Sequence, residues 1–302
     1  MPSLKDIRGR IGSVRNIAQI TRAMEMVAAS RMKRAQDAIL AARPYSDELR
    51  DALSRVAAVV GEETHPLLAR RPVHRVALIM ITTDRGLAGS LNANAIRASL
   101  RWTQAKLAEH RGSTGEGGDG GDIEVEAITI GRKGRDGLRR AGIPIAAHFP
   151  QLGDRPSFSD VTPIARLVTE DFLAGKYDEI DVAYSTFVTT LTQRPEIKPL
   201  LPIVSPTQAE GAETENDEYL FEPSPEAVLT RLLPHYVAID LYRAVLENQA
   251  SEQSARMIAM RNSTDNANEL IDDLTLVYNK TRQSTITREM IEIASGAEAL
   301  GG

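Results

Sequence analysis

Two glycine-containing segments carry the residue types that bind phosphate. The first, TTDRGLAGSLN (residues 82–92), follows an apolar run that predicts a strand and precedes a stretch that predicts a helix. The second, GRKGRDGL (residues 131–138), also follows a predicted strand. Strand, glycine turn and helix is the order that cradles phosphate in many nucleotide-binding proteins, because the first amides of a helix point at the anion. Both segments therefore raise the question of a nucleotide site.

The spacing within these segments argues against such a site. The first has glycines at positions 86 and 89 and no lysine after the second, and its asparagines, Asn92 and Asn94, cannot neutralise a polyphosphate. The second has glycines at 131, 134 and 137, which fit GxxGxxG and not the dinucleotide pattern GxGxxG. The alternative is a tight turn followed by a helix with Ser90 or Asn92 as its N-cap.

Other catalytic chemistry has little support in the sequence. The chain has no cysteine, which excludes disulfides, thiolate metal ligands and a cysteine nucleophile. Its five histidines are not at metal-ligand spacing, and no GxSxG, HExxH or GxxxxGK[ST] motif occurs. We therefore expect no catalytic residue, no cofactor and no metal site.

A long helix is predicted at each end of the chain. Residues 13–60 and 226–295 contain no glycine and one proline each, Pro44 and Pro234, and their apolar residues recur at steps of three and four. The segment SPEA (residues 224–227) is a typical helix start, with serine as N-cap and proline next. The economical prediction is an antiparallel coiled coil of the two ends, with the prolines kinking or interrupting the helices.

The pairing of the two helices is predicted from these prolines. If Pro44 lies opposite Pro234, then Met24 faces Ser254 and Leu4 faces Leu274, and residues 281–300 protrude unpaired. Between residues 247 and 269 large aliphatic residues are nearly absent. So polar a helix is expected to pair with another helix and not to be buried in a domain core.

The middle of the chain alternates short β-rich runs with helical ones. We predict strands at 76–82, 123–130, 180–186 and 197–204, and helices at 90–110, 133–141 and 159–174. This alternation predicts an α/β Rossmann-like insert with a mostly parallel sheet. The predicted regions are an N-terminal helix (1–60), the insert (73–204), an acidic connection (205–224) and a C-terminal helix (225–302). Residues 111–122, RGSTGEGGDGGD, are predicted to form a flexible acidic linker.

Charge and hydropathy restrict the class of protein further. The net charge is −5, yet the first 43 residues hold nine Lys/Arg against three acids, which suits either a solvated face or a partner of opposite charge. No aromatic residue occurs among the first 44 to stack on nucleic-acid bases. No apolar run approaches the length of a membrane span, and no signal peptide is evident. The expectation is a cytosolic chain, peripheral to a membrane at most through a partner.

Four segments resemble a known family, the gamma subunit of the F-type, proton-translocating ATP synthase. They are residues 4–36 (LKDIRGRIGSVRNIAQITRAMEMVAASRMKRAQ), 82–97 (TTDRGLAGSLNANAIR), 131–143 (GRKGRDGLRRAGI) and 251–300, which begins SEQSARMIAMRNSTDNANELIDDLTLVYNKTRQSTIT. The chain departs from many members at residues 88–90, where Ala-Gly-Ser stands in place of Cys-Gly-Gly. Its long 111–122 linker suggests an actinobacterial, mycobacterial-like member.

The resemblance implies a mechanical function. The coiled coil would be the central shaft inside a ring of alternating alpha and beta subunits, and the insert would sit on the c-ring with the epsilon subunit alongside. Proton-driven rotation of the c-ring would turn the shaft and drive the catalytic sites of the alpha–beta hexamer through ATP synthesis, or the reverse during hydrolysis. The chain itself would have no catalytic site, and it would lie peripherally at the cytoplasmic face of the cell membrane without inserting into it.

The same resemblance implies roles for individual residues. Arg282 and Gln283 would engage a beta-subunit loop, and Met24 would pass the acidic lever of beta. Asp84 and Arg85, in the first glycine turn, would contact another subunit or hold the turn. We also expect the 111–122 loop, with its acidic residues Glu116, Asp119 and Asp122, to have a regulatory role, such as restraining rotation in the hydrolysis direction.

Two other classes stay open at this point. A small nucleotide-dependent enzyme with helical arms would bind ATP or a dinucleotide directly. A coiled-coil nucleic-acid-binding protein would bind DNA with a steep dependence on salt. The resemblance favours neither ligand and predicts instead a stoichiometric protein complex.

Overall fold

The computed structural model describes residues 3–60, 65–113, 123–203 and 222–300. In chain order the elements are α1 (Leu4–Val60), β1 (Arg75–Ile81), α2 (Leu91–Ser113), β2 (Glu124–Ile130), α3 (Arg132–Arg140), β3 (Ile145–Phe149), α4 (Phe158–Leu173), β4 (Glu179–Phe187), β5 (Gln193–Leu201) and α5 (Pro225–Leu300). The expected α/β class, with long terminal helices and an inserted, mostly parallel sheet, is confirmed. One strand, β3, was not predicted, because it is short and mostly half-exposed and so lacks a buried apolar run.

The terminal helices continue past their prolines. Pro44 lies inside the 57-residue α1, and Pro234 lies inside the 76-residue α5. Of the two expected effects, an interruption of the helix is therefore wrong, since each helix tolerates the loss of one backbone hydrogen bond, whereas a kink at either proline stays a prediction. The predicted N-cap of α5 is confirmed, because the Ser224 hydroxyl accepts a hydrogen bond from the Ala227 N–H at 3.2 Å.

The sheet has five strands in the order β3-β2-β1-β4-β5. Strands β3, β2, β1 and β4 are parallel, and β5 is antiparallel to β4. The chain builds outward from β1 through β2 to β3, and then returns to the other side of β1 to form β4. In such a sheet the crevice at the carboxyl ends of the two strands beside this reversal is where ligands usually bind.

The chain divides into two compact units. One comprises Met1–Ala28 with Arg256–Gly302, and the other comprises Ala29–Ala255. The boundaries predicted from the sequence, after residue 60 and before residue 225, instead follow the ends of the two long helices.

The first unit is a pairing of the two chain ends. Val14 and Ala18 pack against Ala267, with the larger side chains Ile271 and Leu274 at the edge of the cluster. The hydroxyls of Thr21 and Thr264 lie 2.7 Å apart in the buried seam. Small apolar and hydroxyl side chains hold this contact, so the two helices can approach closely.

The register of this pairing differs from the predicted one. Alignment of the two prolines would place Thr21 opposite Met257, whereas its partner is Thr264, seven positions further along. In the second unit, the alanines at 35 and 250 share a cluster with the aliphatic residues at 39 and 246, which follows the same displaced register. The proline-based register is therefore wrong. The prolines stay within continuous helices and do not set the alignment, which follows the small side chains in the seam.

The second unit places one helical layer on each face of the sheet. On one face, α2 and α3 cover Met80 and Ala127 with Ala95 and Leu138. On the other face, α4, the end of α1 and the start of α5 form the main apolar core, which includes Leu53, Phe172 and Leu233. No helix in the described ranges has an apolar stretch long enough to cross a bilayer.

Candidate functional site

The amides at the start of α3 are already hydrogen-bonded within the chain. The Arg132 N–H donates to Asp84 Oδ1 at 2.8 Å, and the Gly134 N–H donates to Thr82 Oγ1 at 2.8 Å. Between them, the Lys133 N–H donates to the Thr83 carbonyl at 3.0 Å. A phosphate would need these donors. Because a carboxylate, a hydroxyl and a carbonyl occupy them, the second glycine segment is not a phosphate cradle.

Close packing accounts for the three glycines of that segment. A Cβ at Gly131, whose φ is +94°, would lie 2.2 Å from the Thr82 carbonyl oxygen. A Cβ at Gly134 would lie 2.7 Å from Thr82 Oγ1, and one at Gly137 would lie 2.6 Å from Ile96 Cδ1. The GxxGxxG spacing thus brings α3 against β1 and α2, and it serves packing instead of ligand binding.

Asp84 and Arg85 occupy different environments in the first glycine turn. Asp84 is half-buried, and both its backbone and its carboxylate are hydrogen-bonded to Gln151. The Asp84 N–H donates to Gln151 Oε1 at 3.0 Å, and Asp84 Oδ2 accepts from the Gln151 N–H at 3.4 Å. Arg85 is exposed, and its carbonyl accepts a hydrogen bond from Thr83 Oγ1 at 2.5 Å. Asp84 therefore holds the turn, whereas the Arg85 side chain is available to a partner.

Leu87, at the tip of this turn, has a backbone conformation unusual for its type. Its φ is +63°, in the left-handed region that glycine favours, and its side chain is exposed. It is the only residue other than glycine with positive φ in the described ranges. An exposed apolar side chain held in this conformation adds to the surface around Arg85.

The carboxyl edge of the sheet is covered by a polar part of α5. The side chains there are nearly inaccessible, and they are Asn248, Gln249, Ser251, Glu252, Gln253 and Ser254. The expectation that the 247–269 stretch cannot be buried in a domain core is therefore wrong for its first third. Polarity does not prevent this burial, because loops at the strand ends offer unpaired backbone groups that these side chains satisfy.

The bonds of this polar stretch reach the end of β4 and the loop that follows. Asn248 Oδ1 accepts from the Ser185 N–H at 3.2 Å, and the Ser251 hydroxyl donates to the Ser185 carbonyl at 2.8 Å. The Ser254 hydroxyl donates to the Thr190 carbonyl at 2.6 Å. These bonds tie α5 to the strand on one side of the topological reversal.

A second set of bonds reaches the loop after β3. Gln249 Nε2 donates to the Gly153 carbonyl at 3.3 Å, and Gln151 Nε2 donates to Glu252 Oε2 at 2.6 Å. Gln151 also holds the Asp84 turn, so α5, this loop and the first glycine turn form one connected network. The position at which related folds bind a ligand is filled by the chain's own helix.

The space left at this edge is too small for a nucleotide. A cavity of about 20 Å³ remains, with Thr82, Gln151, Asn248 and Glu252 among its lining residues. That volume accommodates about one water molecule, whereas small-molecule sites measure ~300–1,000 Å³. The described ranges also contain no group of three His, Cys, Asp or Glu side chains able to hold a metal ion.

The predicted beta-contact residues all belong to the first unit. Met24 is half-buried, and Arg282 and Gln283 are exposed beyond Tyr278, whose hydroxyl accepts a hydrogen bond from Arg8 at 2.5 Å. Large apolar side chains are exposed further along α5, and they are Ile286, Met290, Ile291 and Ile293. This end of α5 therefore offers charged and apolar groups to a partner. The acidic loop residues Glu116, Asp119 and Asp122 lie outside the described residues.

A pair of carboxyl side chains on β4, one of them buried, was missed by the sequence reasoning. Asp181 is 5% exposed and accepts a hydrogen bond from Trp102 Nε1 at 2.9 Å, while Glu179 pairs with Lys106 at 2.6 Å. Burial, and then the neighbouring Glu179 carboxylate, raise the pKa of Asp181 to about 6. The available signal was two acids spaced by two in a segment, residues 179–187, whose other residues are uncharged.

Comparison with known proteins identifies the family. The ATP synthase family model matches residues 3–300. The ATP synthase gamma chain of Roseiflexus castenholzii is 52% identical over 302 residues, which are 99% of each chain. That of Dehalococcoides mccartyi is 48% identical over 302 residues, which are 99% of this chain and 100% of the relative. These relatives do not support the suggested actinobacterial origin.

Solved structures agree at the level of the fold. A rotor chain of the Euglena gracilis mitochondrial ATP synthase aligns with a TM-score of 0.63 at 20% identity, over 94% of this chain and 98% of that one. A central-stalk chain of the Tetrahymena thermophila enzyme aligns with a TM-score of 0.58 at 23% identity, over 80% of this chain and 98% of that one. With a family match across nearly its whole length and relatives about half identical to it, this chain belongs to the gamma chain family of ATP synthase.

Proposed function

We propose that the chain is the central rotor shaft of ATP synthase, which couples proton-driven rotation of the c-ring to conformational cycling of the alpha–beta hexamer. As a gamma chain it is a non-catalytic subunit of the complex. The observation that carries the proposal is the family match over residues 3–300. The closed carboxyl edge of the sheet supports it, since the cavity that remains at this edge is too small for a nucleotide.

The contact with the beta subunit is assigned to Arg282, Gln283 and Met24. The exposed Arg282 guanidinium can form two charge-assisted hydrogen bonds to a carboxylate, and Gln283 beside it offers an amide. Met24 lies beside Glu25, which accepts a hydrogen bond from Arg261 at 2.9 Å and so loses much of its effect as a negative charge. The helix face around Met24 can therefore pass an acidic lever without strong repulsion.

The test of this assignment uses the complete enzyme in membrane vesicles. Arg282→Ala is compared with Arg288→Ala, which changes another exposed arginine six residues further along α5. Loss of the Arg282 contact is expected to lower coupled ATP synthesis several-fold, by about 1–2 kcal/mol of interaction. The assignment is refuted if the two variants synthesise ATP at the same rate.

The Asp84 turn is proposed to support a second contact, made by Arg85. Asp84 would act indirectly, by holding the turn, and Arg85 would meet another subunit. Arg85→Ala should weaken assembly with the alpha and beta subunits without changing the melting temperature of the chain. Asp84→Ala should lower that melting temperature, because it removes the acceptor of the Arg132 amide. Equal effects on stability from both substitutions would contradict this division of roles.

Binding measurements separate the proposal from its two rivals. Calorimetry with ATP and the full chain is expected to show no binding, and a short duplex DNA should not bind with a steep salt dependence. Binding of either ligand at micromolar concentration would favour the corresponding rival class.

We place the protein peripherally at the cytoplasmic face of the cell membrane, held there by the other subunits. Washing membranes with a low-salt chelating buffer should release it together with alpha and beta. The predicted linker at 111–122 starts too early, because its first three residues belong to α2; the remainder, residues 114–122, is proposed to restrain rotation in the hydrolysis direction. Deleting residues 114–122 should raise the ATPase rate of the complex and leave its rate of ATP synthesis unchanged. An unaltered ATPase rate would refute this proposal.

A further inference from the structure

The helical layer formed by α2 and α3 is basic in a chain that is acidic as a whole. The two helices hold nine Lys/Arg against two Asp/Glu, whereas the net charge of the chain is −5. Among the cations whose exposure the structure describes, six are exposed, and they are Arg97, Arg101, Arg132, Lys133, Arg139 and Arg140. We refer to these six residues as the basic face.

Among the described residues, few acids neutralise this charge. Asp136, the only acid of α3, lies 2.9 Å from Arg135 and 3.7 Å from Arg139, so it is shared between two cations. Asp84 lies 3.8 Å from the Arg132 guanidinium, but its carboxylate also accepts backbone N–H groups. Counted over the described residues, the basic face therefore keeps an excess of positive charge toward solvent.

Packing holds this face rigidly. Gly134 and Gly137 allow α3 to lie so close to β1 and α2 that a methyl group at either position would overlap Thr82 or Ile96. Leu138, between the arginines of α3, is fully buried. The guanidinium groups thus project from a fixed platform, which lowers the ordering cost of binding a partner.

The chemistry of the face favours a protein over a nucleic acid or a membrane. Five of its six cations are arginine, the residue that pairs bidentately with carboxylates and is enriched in protein interfaces where lysine is depleted. Trp102 is the only aromatic residue of the two helices, and its Nε1 donates to Asp181, so no exposed ring is available to stack on bases. Leu107 is the only large apolar side chain exposed on the described part of these helices, which is too little to insert into a lipid interface.

We propose that the basic face of α2 and α3 is a docking surface for an acidic protein surface, rich in Asp and Glu, on a neighbouring subunit of the assembly. This surface is separate from the residues assigned above to the beta subunit. Because exposed ion pairs are screened by salt, the association should weaken as ionic strength rises.

The test compares two quadruple variants of the chain, each assembled with alpha and beta subunits. In the first, Arg97, Arg101, Arg139 and Arg140 are changed to Gln. The matched control changes four exposed arginines outside the basic face, Arg43, Arg166, Arg194 and Arg231, to Gln, which removes the same net charge. Binding of purified epsilon subunit, purified c-ring, vesicles of equimolar phosphatidylglycerol and phosphatidylcholine, and a short duplex DNA is measured between about 50 and 300 mM KCl.

The proposal expects a selective loss of protein binding. The first variant should bind epsilon or the c-ring about tenfold more weakly at low salt, with a flatter salt dependence, while the control behaves as wild type. It is overturned if both proteins bind the two variants alike, or if only vesicle or DNA binding is lost. If the quadruple variant fails to assemble, the double variant Arg139→Gln, Arg140→Gln provides the same comparison, with an expected weakening of about threefold.

Discussion

Replacing Asp181 by Asn is expected to stabilise the inserted domain at neutral pH. Asp181 lies on β4 beneath α2, and Trp102 Nε1 donates to its Oδ2 at 2.9 Å. Its other oxygen, Oδ1, is buried without a hydrogen-bond partner in the described structure. Asparagine keeps an acceptor for Trp102 and carries no charge, so it removes the cost of a buried carboxylate beside Glu179.

The size and sign of the effect follow from the raised pKa. In the folded chain the pKa of Asp181 is about 6, whereas its ordinary value is 3.8. A folded pKa above the unfolded one means that the proton contributes stability fully below pH ~4, and that this contribution is lost as the pH rises through ~6. The two values differ by an amount equivalent to ~3 kcal/mol, an upper limit for Asp181→Asn at pH 7.5. We expect a gain of about 1–3 kcal/mol at that pH, falling toward zero near pH 4.

The single tryptophan makes this effect directly measurable. Trp102 is the only Trp of the chain, and it is the hydrogen-bond donor to Asp181. Its fluorescence should therefore follow urea unfolding of the insert at a series of pH values from 4 to 8. In the native chain it should also change with a midpoint near pH 6, and this change should be absent in Asp181→Asn.

A matched substitution distinguishes this cause from a general loss of negative charge. Asp136 lies half-buried at the surface of α3, and the hydrogen bond from Arg135 lowers its pKa. Asp136→Asn should therefore give no stabilisation at pH 7.5. The reasoning is refuted if Asp181→Asn gains no more stability at pH 7.5 than at pH 4, or if the two variants behave alike.

Three further predictions concern the packing, the polar network and the shaft. Gly134→Ala should destabilise the insert by about 2 kcal/mol, because its Cβ would lie 2.7 Å from Thr82 Oγ1. As a control, Gly12→Ala should stabilise α1 slightly, because a Cβ there would have no atom within 4 Å. Equal melting temperatures of the two variants would contradict this reasoning. Asn248→Ala should cost about 1–3 kcal/mol in urea unfolding, because it leaves the buried Ser185 N–H without its acceptor; a change within about 0.5 kcal/mol would mean that the network contributes little. Met24→Lys should lower the ratio of ATP made to protons moved in membrane vesicles, because it adds a cation where the shaft passes the acidic lever of beta, and an unchanged ratio would discredit that contact.

Much of the architecture could be predicted from local patterns. Steps of three and four between apolar residues, with no glycine over long stretches, identified the terminal helices, and β-rich runs identified four of the five strands. These signals are local, because periodicity and N-caps depend on neighbours within a few residues. The fifth strand, Ile145–Phe149, lies at an edge of the sheet and is mostly half-exposed, so its residues lack the apolar run that marks a buried strand.

The pairing of the two long helices depended on contacts far apart in sequence. Pro44 and Pro234 were plausible markers, but a proline inside a continuous helix does not specify what lies opposite. The seam is set by small side chains, such as the threonines at 21 and 264, whose complementarity is evident only when both helices are in place.

The sequence by itself determined the fold class, the family and the unsuitability of both glycine segments for phosphate, since each depends on residue types at fixed spacings. Only the tertiary structure decided what those segments do. In the folded chain the first N–H groups of α3 donate hydrogen bonds to Asp84, Thr83 and Thr82. The polar Asn248–Ser254 stretch is buried over the edge of the sheet where a ligand would otherwise lie. The physical reason is that a buried polar group must find its hydrogen-bond partner, and here the partners come from strand β4 and from the loop after β3, some 60 to 100 residues away in the chain.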